Sequence, residues 1–548
     1  MLRRLDSRKR SEHGYVAILT ILLFTTLFGM CAFAVDVGNW YYTGQRAQRA
    51  ADAAALAGVP NLPGDKAAAF AEAQTFAKAN GFDNASSTVS VVPSIDGTPT
   101  RLRVTTSMTV QNQFGILFGL GHTTISRTAV ADYSGPVPMG SPCNEFGNDP
   151  ESAGIKSVNC ADTGMFWANV GAPKAPKKSG DAYQNGDCSS GEDGCGSGGT
   201  NAEYDPNGYF YQVTLTKPVQ NLTLQAFDPA LIAVGDLCTD NKLDKAKKLK
   251  PKDTSPVTDP DTRYEDGQSS PFCTGDVRFG GTGEVSTKFT VRDPGVNPWD
   301  PLSFPIDPGC SPITYPGYND DLNKALDNGK KEYDDIAPGY VASVFRQWKT
   351  LCTIPYAPAG VYMIQVNTNG TGNDNASGHN RFGLRAYSTS DPSARDAIAI
   401  AGFNKMAIYA NSPAANTKFF LAQVPPGAAG QLLNVRLFDV GDSSQPGVIT
   451  VLPPPDSGLA GFSGCRGYGP TGGTGGTPLV NCSIPANSSY NGKWEQISVP
   501  IPANYTCNNT ITTGCWLRLQ YNYGAGAQPT DTTSWTASLE GDPIRLVE

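Results

Sequence analysis

The sequence predicts a mainly β protein. An N-terminal transmembrane helix and a small α+β domain are followed by two tandem antiparallel jelly-roll-like β-sandwiches. Three observations carry this prediction: residues 15–35 lack charged side chains, two later stretches share strand-like features in the same order, and the chain contains 60 Gly and 42 Pro among 548 residues. Frequent Gly and Pro are typical of short strands joined by turns.

The first predicted element is a transmembrane helix at residues 14–36. Its uncharged run is close to the ~20 residues that cross a ~30 Å hydrocarbon layer. The preceding tail, residues 1–13, carries five basic residues against Asp6 and Glu12. The positive-inside rule therefore predicts a single-pass cell-membrane protein, with a cytoplasmic N-terminus and its bulk in the extracellular space or the cell envelope.

The residues around this helix resemble a known family. The matching residues are Gly14, the apolar stretch, residues 34–38 (AVDVG) and residues 50–57 (AADAAALA). Together they resemble the N-terminal segment of the Tad-type (Flp) pilus-assembly TadE/TadG-like family. The resemblance covers only the start of the chain, and it implies a role with a Tad-type pilus system.

Two alternative fates of the apolar segment stay open. Residues 32–34 (AFA) are similar to a signal-peptidase site behind a basic region, although the apolar run is long for a cleaved signal. The second alternative is prepilin-type cleavage after Gly14. Pilins processed in that way resemble each other in a Glu five residues into the mature helix, where this chain has Leu19. We expect a retained anchor, with Asp36 at its outer, water-exposed end.

Residues 37–134 are predicted to form a pilin-like α+β domain. Residues 65–80 have an amphipathic helical pattern that ends at Gly81, and three runs with strand alternation follow. Small residues on the first helix permit close approach of a partner helix in the membrane, although alanine also favours helices generally. These predicted helix-packing residues are Gly38, Gly44, Ala47, Ala51, Ala54 and Ala55.

Residues 135–203 read as a Gly/Ser-rich linker, followed by β-sandwich 1 (204–395, with an insertion at 231–282) and β-sandwich 2 (396–548). The two sandwiches share four features in order. Residues 209–211, 222–228, 289–294 and 360–363 correspond to residues 419–421, 433–439, 449–454 and 514–517. Residues 359–372 and 380–386 also resemble, loosely, pre-peptidase C-terminal-like β-sandwich modules, which implies the same fold class.

Twelve of the 13 cysteines follow the membrane segment, which contains Cys31. An external location and an even number predict disulfides. Locality and the repeat together predict the pairs Cys143–Cys160, Cys188–Cys195, Cys238–Cys273, Cys310–Cys352, Cys465–Cys507 and Cys482–Cys515. A nearest-neighbour alternative joins Cys465 to Cys482 and Cys507 to Cys515.

The sequence contains few candidates for catalytic, nucleic-acid-binding or metal-binding residues. The net charge of −8 and the pI of about 5.1 argue against a nucleic-acid partner. His122 and His379 lie in apparent turns without a nucleophile motif, so we predict no enzyme activity and no catalytic residue. Asp374, Asp439 and Asp442 offer hard oxygen ligands and are candidates for calcium; otherwise no metal or cofactor is expected.

The predicted function is that of a non-enzymatic, membrane-anchored cell-envelope protein associated with Tad/Flp-type pilus assembly or surface adhesion. Its expected partners are the membrane, other pilus-assembly or envelope proteins, and a glycan or surface ligand for the sandwiches. The alternatives are a secreted or anchored hydrolase, or a carbohydrate-binding protein, with the β-sandwiches as binding modules. Abundant acidic residues leave a two-carboxylate glycosidase open.

Overall fold

The structure is a computed structural model. It describes residues 13–62, 66–96, 101–133, 137–148, 157, 166–196, 198–233, 235, 274–280, 284–295, 297–318, 340, 343–345, 347–368, 375–411, 416–443, 445–470, 472–508, 514–524, 527, 530–540 and 544–546. The chain divides into two compact units, residues 1–133 with 543–548, and residues 134–542. As predicted, the fold is mainly β with one long apolar N-terminal helix and several antiparallel sheets.

The helices of the described residues are α1 (His13–Gly58) and α2 (Lys66–Ala79). The strands, in chain order, are β1 (Val89–Ile95), β2 (Arg101–Gln111), β3 (His122–Tyr133), β4 (Pro138–Met139), β5 (Glu145–Phe146), β6 (Phe166–Gly171), β7 (Tyr209–Leu215), β8 (Val219–Phe227), β9 (Val277–Arg278), β10 (Thr287–Arg292), β11 (Ile313–Tyr315), β12 (Trp348–Ala357), β13 (Gly360–Asn367), β14 (Gly378–Ser388), β15 (Ile398–Phe403), β16 (Lys405–Asn411), β17 (Asn416–Gln423), β18 (Leu432–Phe438), β19 (Gly447–Leu452), β20 (Arg466–Gly469), β21 (Gly473–Pro478), β22 (Ser483–Ala486), β23 (Trp494–Pro500), β24 (Trp516–Tyr523), β25 (Thr530–Leu539) and β26 (Ile544–Leu546).

The first unit packs α1 and α2 against a four-stranded antiparallel sheet of order β1-β2-β3-β26. α1 continues for 46 residues because no Gly or Pro interrupts its apolar and alanine-rich halves strongly enough before Pro60. α2 ends as predicted at Gly81, whose φ is +86°. The amide of Gly81 donates to the carbonyl of Lys78, and that of Phe82 to Ala77, which is a Schellman C-cap.

The second unit contains two large antiparallel sheets. A ten-stranded sheet has the order β11-β10-β13-β7-β15-β4-β17-β24-β19-β22, and a twelve-stranded arrangement contains the path β12-β8-β14-β6-β16-β25-β18-β23-β20-β21. In each half of the unit, most successive strands alternate between the two sheets, which is the pattern of a jelly roll; β10 with β11 and β20 with β21 are instead neighbours in one sheet. Each sheet therefore runs through both halves of the unit.

Strand pairing confirms the repeat predicted from the sequence. β8 pairs with β12 and β14, as β18 pairs with β23 and β25. β13 pairs with β7 and β10, as β24 pairs with β17 and β19. All four shared sequence features lie on or immediately beside these equivalent strands. The two halves therefore repeat one sandwich.

The segment 135–203, predicted as a linker, joins the two halves within both sheets. β4 pairs with β15 and β17, and β6 pairs with β14 and β16. All six residues of β6 are buried, so this strand is part of the core. The linker prediction was wrong because the Gly- and Ser-rich stretches on either side masked a six-residue buried strand, which has no alternation to reveal it.

Two further details differ from the predicted domain boundaries. β15 lies beyond residue 395 but pairs with β7 of the first half. β26, near the C-terminus, pairs with β3 of the first unit. Most of the predicted insertion, residues 236–273, lies outside the described residues, as do residues 1–12 of the basic tail.

One hydrophobic core runs through both halves of the second unit. In the first half it contains edge-to-face contacts of Phe382 with Tyr211 and Phe289. In the second half Phe419 packs in the same way on Tyr521 and Trp535. Aromatic pairs of this geometry add about 0.5–1.5 kcal/mol each beyond their buried area. Because the core is shared, we expect the two halves to unfold together.

Candidate functional site

The apolar half of α1 makes an exposed hydrophobic rod. Between Tyr15 and Val35 its large apolar side chains face outward; Tyr15 is 72% exposed and Leu23 is 62% exposed. Soluble proteins rarely leave so long an apolar surface uncovered. By length and composition, this helix can cross a membrane.

Asp36 ends the apolar rod, but the structure buries its side chain instead of leaving it in water. Its carboxylate accepts three main-chain hydrogen bonds, from the amides of Gln113 (2.7 Å), Phe114 (3.0 Å) and Gly115 (2.6 Å). One turn further on, the indole of Trp40 donates to Asn112 Oδ1 at 2.8 Å. Together these contacts fasten the β2–β3 connection to α1. Sequence alone missed this role because the partners are main-chain amides 77–79 residues away.

The structure also corrects the predicted helix-packing surface. Ala47, Ala51, Ala54 and Ala55 are fully buried in the first unit, against α2 and the sheet. Gly44 is buried too, and a Cβ there would lie 3.0 Å from Arg127 Nη2. These five positions are therefore unavailable to a partner helix, and only Gly38 of the predicted six is exposed.

The small residues instead allow α1 to approach its own domain closely. Thr106 Oγ1 on β2 donates to the carbonyl of Ala47 at 2.8 Å in a buried contact. A Cβ at Gly58 would lie 2.4 Å from the carbonyl oxygen of Ala69 on α2. Larger side chains along this face would separate the helices from each other and from the sheet, so the alanine-rich pattern is explained by packing within the unit.

Two of the calcium candidates lie in one loop after β18. Asp439 is fully buried, with φ at +63°, and its Oδ1 accepts the amide of Gly492. Asp442 lies three residues later and is partly buried. Burial, followed by the charge of Asp442, raises the pKa of Asp439 well above its ordinary value. The structure adds Asp531 on β25 to this group, and Asp374 lies outside the described residues.

Four disulfides are described: Cys188–Cys195, Cys310–Cys352, Cys465–Cys482 and Cys507–Cys515. The first two confirm the predicted pairs. The predicted Cys465–Cys507 and Cys482–Cys515 are wrong. Cys143 is also disulfide-bonded, whereas Cys160, Cys238 and Cys273 lie outside the described residues, so the predicted pairs Cys143–Cys160 and Cys238–Cys273 stay predictions.

The local pairing has a physical cause in the second half. Cys465 and Cys482 flank the β20–β21 hairpin, in which Arg466 is opposite Pro478, and the amide of Leu479 donates to the carbonyl of Cys465 at 2.9 Å. The hairpin thus brings its two flanking cysteines together. Asp456 does the same for the other pair by accepting the amides of Asn508 (2.9 Å) and Cys515 (3.2 Å).

Replacing Cys465 and Cys482 together by alanine is expected to lower the free energy of unfolding by about 3 kcal/mol, since the bond closes a 17-residue separation. The Cys507→Ala/Cys515→Ala variant, with a separation of 8, should lose less. Chemical denaturation of both variants measures the difference. Peptide mapping of the non-reduced protein checks the pairing, and a Cys465–Cys507 crosslink would contradict it.

Neither His122 nor His379 has the setting of a general base. His122 is exposed at the start of β3. His379 is not in a solvated loop, as the sequence indicated, but lies fully buried on β14, where Nε2 is 2.9 Å from Asn185 Nδ2 and burial lowers its pKa well below the ordinary value. The described groups of three acid and cysteine ligands all contain a disulfide, so their sulfurs are not free to bind metal.

Comparisons with known proteins agree that the N-terminal helix is the most informative segment. No significant match was found among curated proteins or among solved structures. One family model matches residues 14–69, which include nearly all of α1 and the first residues of α2. Its description is "Putative Flp pilus-assembly TadE/G-like", and the resemblance predicted for the N-terminal segment is thereby confirmed: residues 14–69 of this chain are similar to the segment that this model describes.

Proposed function

We propose that the protein is a non-enzymatic, membrane-anchored cell-envelope component associated with Tad/Flp-type pilus assembly or surface adhesion. The observation that carries the proposal is α1 itself, which matches the TadE/G-like model, exposes an apolar rod up to Val35 and then packs against its own small domain. Such a helix serves as both the membrane anchor and the spine of the attached domain.

The residues at the end of the rod support this placement. Tyr41 and Tyr42 are 70% and 61% exposed, directly after the apolar segment. Tyrosine and tryptophan are enriched where helices leave the hydrocarbon layer. The basic tail on the other side favours a cytoplasmic N-terminus, and the disulfides favour an oxidising compartment for the bulk of the chain.

The apolar rod and the double sandwich would bind different partners. Within the described residues, the apolar rod has no intramolecular cover, so it is the surface that lipid and the helices of other pilus-assembly or envelope proteins would contact. The double sandwich would present edge strands and loops to a glycan or another surface ligand. No helix-packing role is proposed for the buried alanines of α1.

The hydrolase alternative gains no support from the contact between Asp293 and Asp307. Asp293 and Asp307 are joined by a side-chain hydrogen bond; burial and then this contact raise the pKa of Asp293 to about 6. Glycosidases hold their two carboxyl groups at least about 5 Å apart, to leave room for the sugar or a water molecule. The direct contact between Asp293 and Asp307 leaves no such room.

Membrane fractionation followed by co-purification tests the proposal. The full chain should be recovered in the membrane with pilus-assembly proteins when expressed in a strain that carries a Tad system. A Leu23→Arg/Leu27→Arg double variant should be lost from the membrane, since each arginine at the centre of a span costs about 2.5–3.5 kcal/mol. Gln45→Arg is the matched control, because Gln45 is an exposed residue of the same helix beyond the rod.

Two results would reject the proposal. Recovery of the wild-type chain from the medium, with a new N-terminus after Ala34, would make it a secreted protein. Retention in the membrane without any crosslinked pilus or envelope protein would remove the assembly role while leaving the anchor intact.

A further inference from the structure

The connection between β2 and β3 presents apolar side chains at its tip. Residues 111–121 contain no charged side chain, and Phe114, Ile116 and Leu120 are 38%, 55% and 52% exposed. These three residues are outside the described hydrophobic core of the first unit. A single exposed apolar residue is common on a protein surface, but three within residues 114–120 form a patch at the tip of one loop.

The carboxylate of Asp36 sets the position of this loop along α1. It accepts the amides of Gln113, Phe114 and Gly115, at 2.7, 3.0 and 2.6 Å. Asp36 directly follows the uncharged residues 15–35. The loop is therefore held at the level where the apolar rod of α1 ends.

The middle of the same sheet lies further from the rod. Thr106 on β2 donates to the carbonyl of Ala47, which is about 16 Å beyond Asp36 along the helix axis. Val92 on β1 lies opposite Thr105, at the level of that contact, and is 55% exposed. The sheet thus offers an exposed apolar residue away from the rod, with which the loop can be compared.

Aromatic residues follow the end of the rod at the height of a lipid headgroup layer. Trp40, whose indole donates to Asn112, and the exposed Tyr41 and Tyr42 lie about 6–9 Å beyond Asp36 along α1. The headgroup layer is about 5–8 Å thick on each side, and tryptophan and tyrosine are enriched in it. Asp36 and the loop beside it therefore lie near the boundary between hydrocarbon and headgroups.

The main chain of the loop is largely paired within the unit. The amides of Gly119 and Leu120 donate to the carbonyls of Ile116 (3.1 Å) and Gly115 (3.0 Å), and Asn112 Nδ2 donates to the carbonyl of Leu120 at 2.8 Å. The φ of +82° at Gly119 allows this tight turn. Pairing of main-chain groups is what contact with hydrocarbon requires, since no water is present there to replace the hydrogen bonds.

We propose that Phe114, Ile116 and Leu120 insert into the outer interfacial layer of the same membrane that α1 crosses. The inference rests on the proposed membrane anchor, because the loop is continuous with the apolar rod through Asp36. The loop lacks Lys and Arg, so the lipid contact is apolar and does not require anionic headgroups. This second contact restrains the first unit against rotation about the axis of α1, which a single helix would leave free.

Site-directed spin labelling of the full chain in phosphatidylcholine vesicles tests the insertion. Nitroxide labels are placed at Ile116→Cys and at the control Val92→Cys, in a Cys31→Ser background that removes the free cysteine of α1. Oxygen concentrates in hydrocarbon, whereas a nickel chelate stays in water. The ratio of oxygen access to nickel access should be several-fold higher for the label at position 116 than for the label at position 92.

A label at Leu23→Cys, within the rod, separates failure of this inference from failure of the anchor. Lipid access at position 23 combined with water access at position 116 would overturn loop insertion and leave the anchor intact. Water access at position 23 would reject the anchor and this inference together. Shielding of position 116 from both reagents would also overturn the proposal, since a second copy of the chain would then cover the loop.

Crosslinking by a photoreactive phosphatidylcholine tests the unlabelled protein. Trypsin cleavage after Arg103 and Arg127 releases residues 104–127, which contain the loop, and cleavage after Lys78 and Arg101 releases residues 79–101, which contain Val92. Lipid adducts should be several-fold more abundant on the first peptide, and Ile116→Ser/Leu120→Ser should remove most of them. Equal adduct levels on the two peptides, or no loss in the double variant, would contradict insertion.

Discussion

Replacing Asp36 by alanine is expected to release the β2–β3 connection from α1. The three amides of Gln113, Phe114 and Gly115 would lose a charged acceptor that no other described side chain can replace. Hydrogen bonds to charged groups contribute about 1.5–3 kcal/mol each, and buried donors left unpaired add a desolvation cost. We expect a loss of about 3 kcal/mol or more in the local opening free energy.

Hydrogen exchange of the full chain in detergent micelles measures this loss directly. Exchange of the three amides should accelerate about a hundredfold, since each 1.4 kcal/mol changes an equilibrium constant tenfold. Asp36→Asn keeps one carbonyl-type oxygen and should give an intermediate rate. Asp52→Ala is the control: Asp52 is a partly exposed acid of the same helix, held by Gln48. Unchanged protection in Asp36→Ala would show that the connection is held by other contacts.

Asp36 also shows where reasoning from the sequence stops. The uncharged run, the alanine-rich continuation and the absence of an early break predict α1, and each depends only on neighbouring residues. Whether Asp36 is solvated or buried depends on the β2–β3 connection, whose amides lie 77–79 residues further along the chain. Propensity and hydropathy contain no information about such a contact, so the prediction of a solvated acid was wrong.

The alanines of α1 also show a limit of reasoning from the sequence, because the sequence does not say which element packs against them. A row of small residues permits close packing, but the pattern does not identify the partner. The sequence left a second membrane helix and ordinary helix propensity as explanations, whereas α2 and the sheet fill the space. The sequence did predict a second helix from residues 65–80. In the structure this helix, α2, packs its buried Ala69, Ala73 and Ala77 against the alanines of α1, so packing within the unit is the explanation.

The repeat was predictable because it rests on strand alternation with a shared Phe-Asp ending, and both copies keep these. The disulfides of the second half could not be predicted from the repeat. Cys465–Cys482, for example, is set by the β20–β21 hairpin, which is not one of the repeated strands. β6 was missed for a related reason: its residues are buried on both faces, so it lacks the alternation that identifies a half-exposed strand. Both the disulfide pairing and the position of β6 depend on the order of strands in the sheets, which the pattern of neighbouring residues does not determine.

Arg381 is the residue whose loss should most destabilise the second unit. Its side chain is 2% exposed, donates to the carbonyl of Gly275 and to Thr532 Oγ1 (2.9 Å), and lies 3.6 Å from the ring centre of Tyr409. Arg381→Met would retain much of the volume but remove the cation that acts on Asp276, a fully buried acid whose Oδ1 accepts the amide of Arg381. Removing one partner of a buried charge group typically costs about 3–5 kcal/mol.

The pH dependence of this loss distinguishes charge from packing. Burial already raises the pKa of Asp276 above its ordinary 3.8, and removing the guanidinium would raise it further. A carboxyl whose pKa is raised in the folded state destabilises that state as pH rises above 3.8. Urea unfolding should therefore show a larger deficit for Arg381→Met at pH 8 than at pH 5.

Two further variants distinguish a loss of charge at Arg381 from a loss of packing. Arg385→Met removes a neighbouring arginine on the same strand that stacks 3.8 Å from Trp348 and pairs with Gln225. It should cost less and show little pH dependence. Adding Asp276→Asn to Arg381→Met should recover part of the loss at pH 8, because the unpaired charge is gone. An equal deficit at both pH values, with no recovery in the double variant, would mean that Arg381 stabilises the sheet through packing and hydrogen bonds alone.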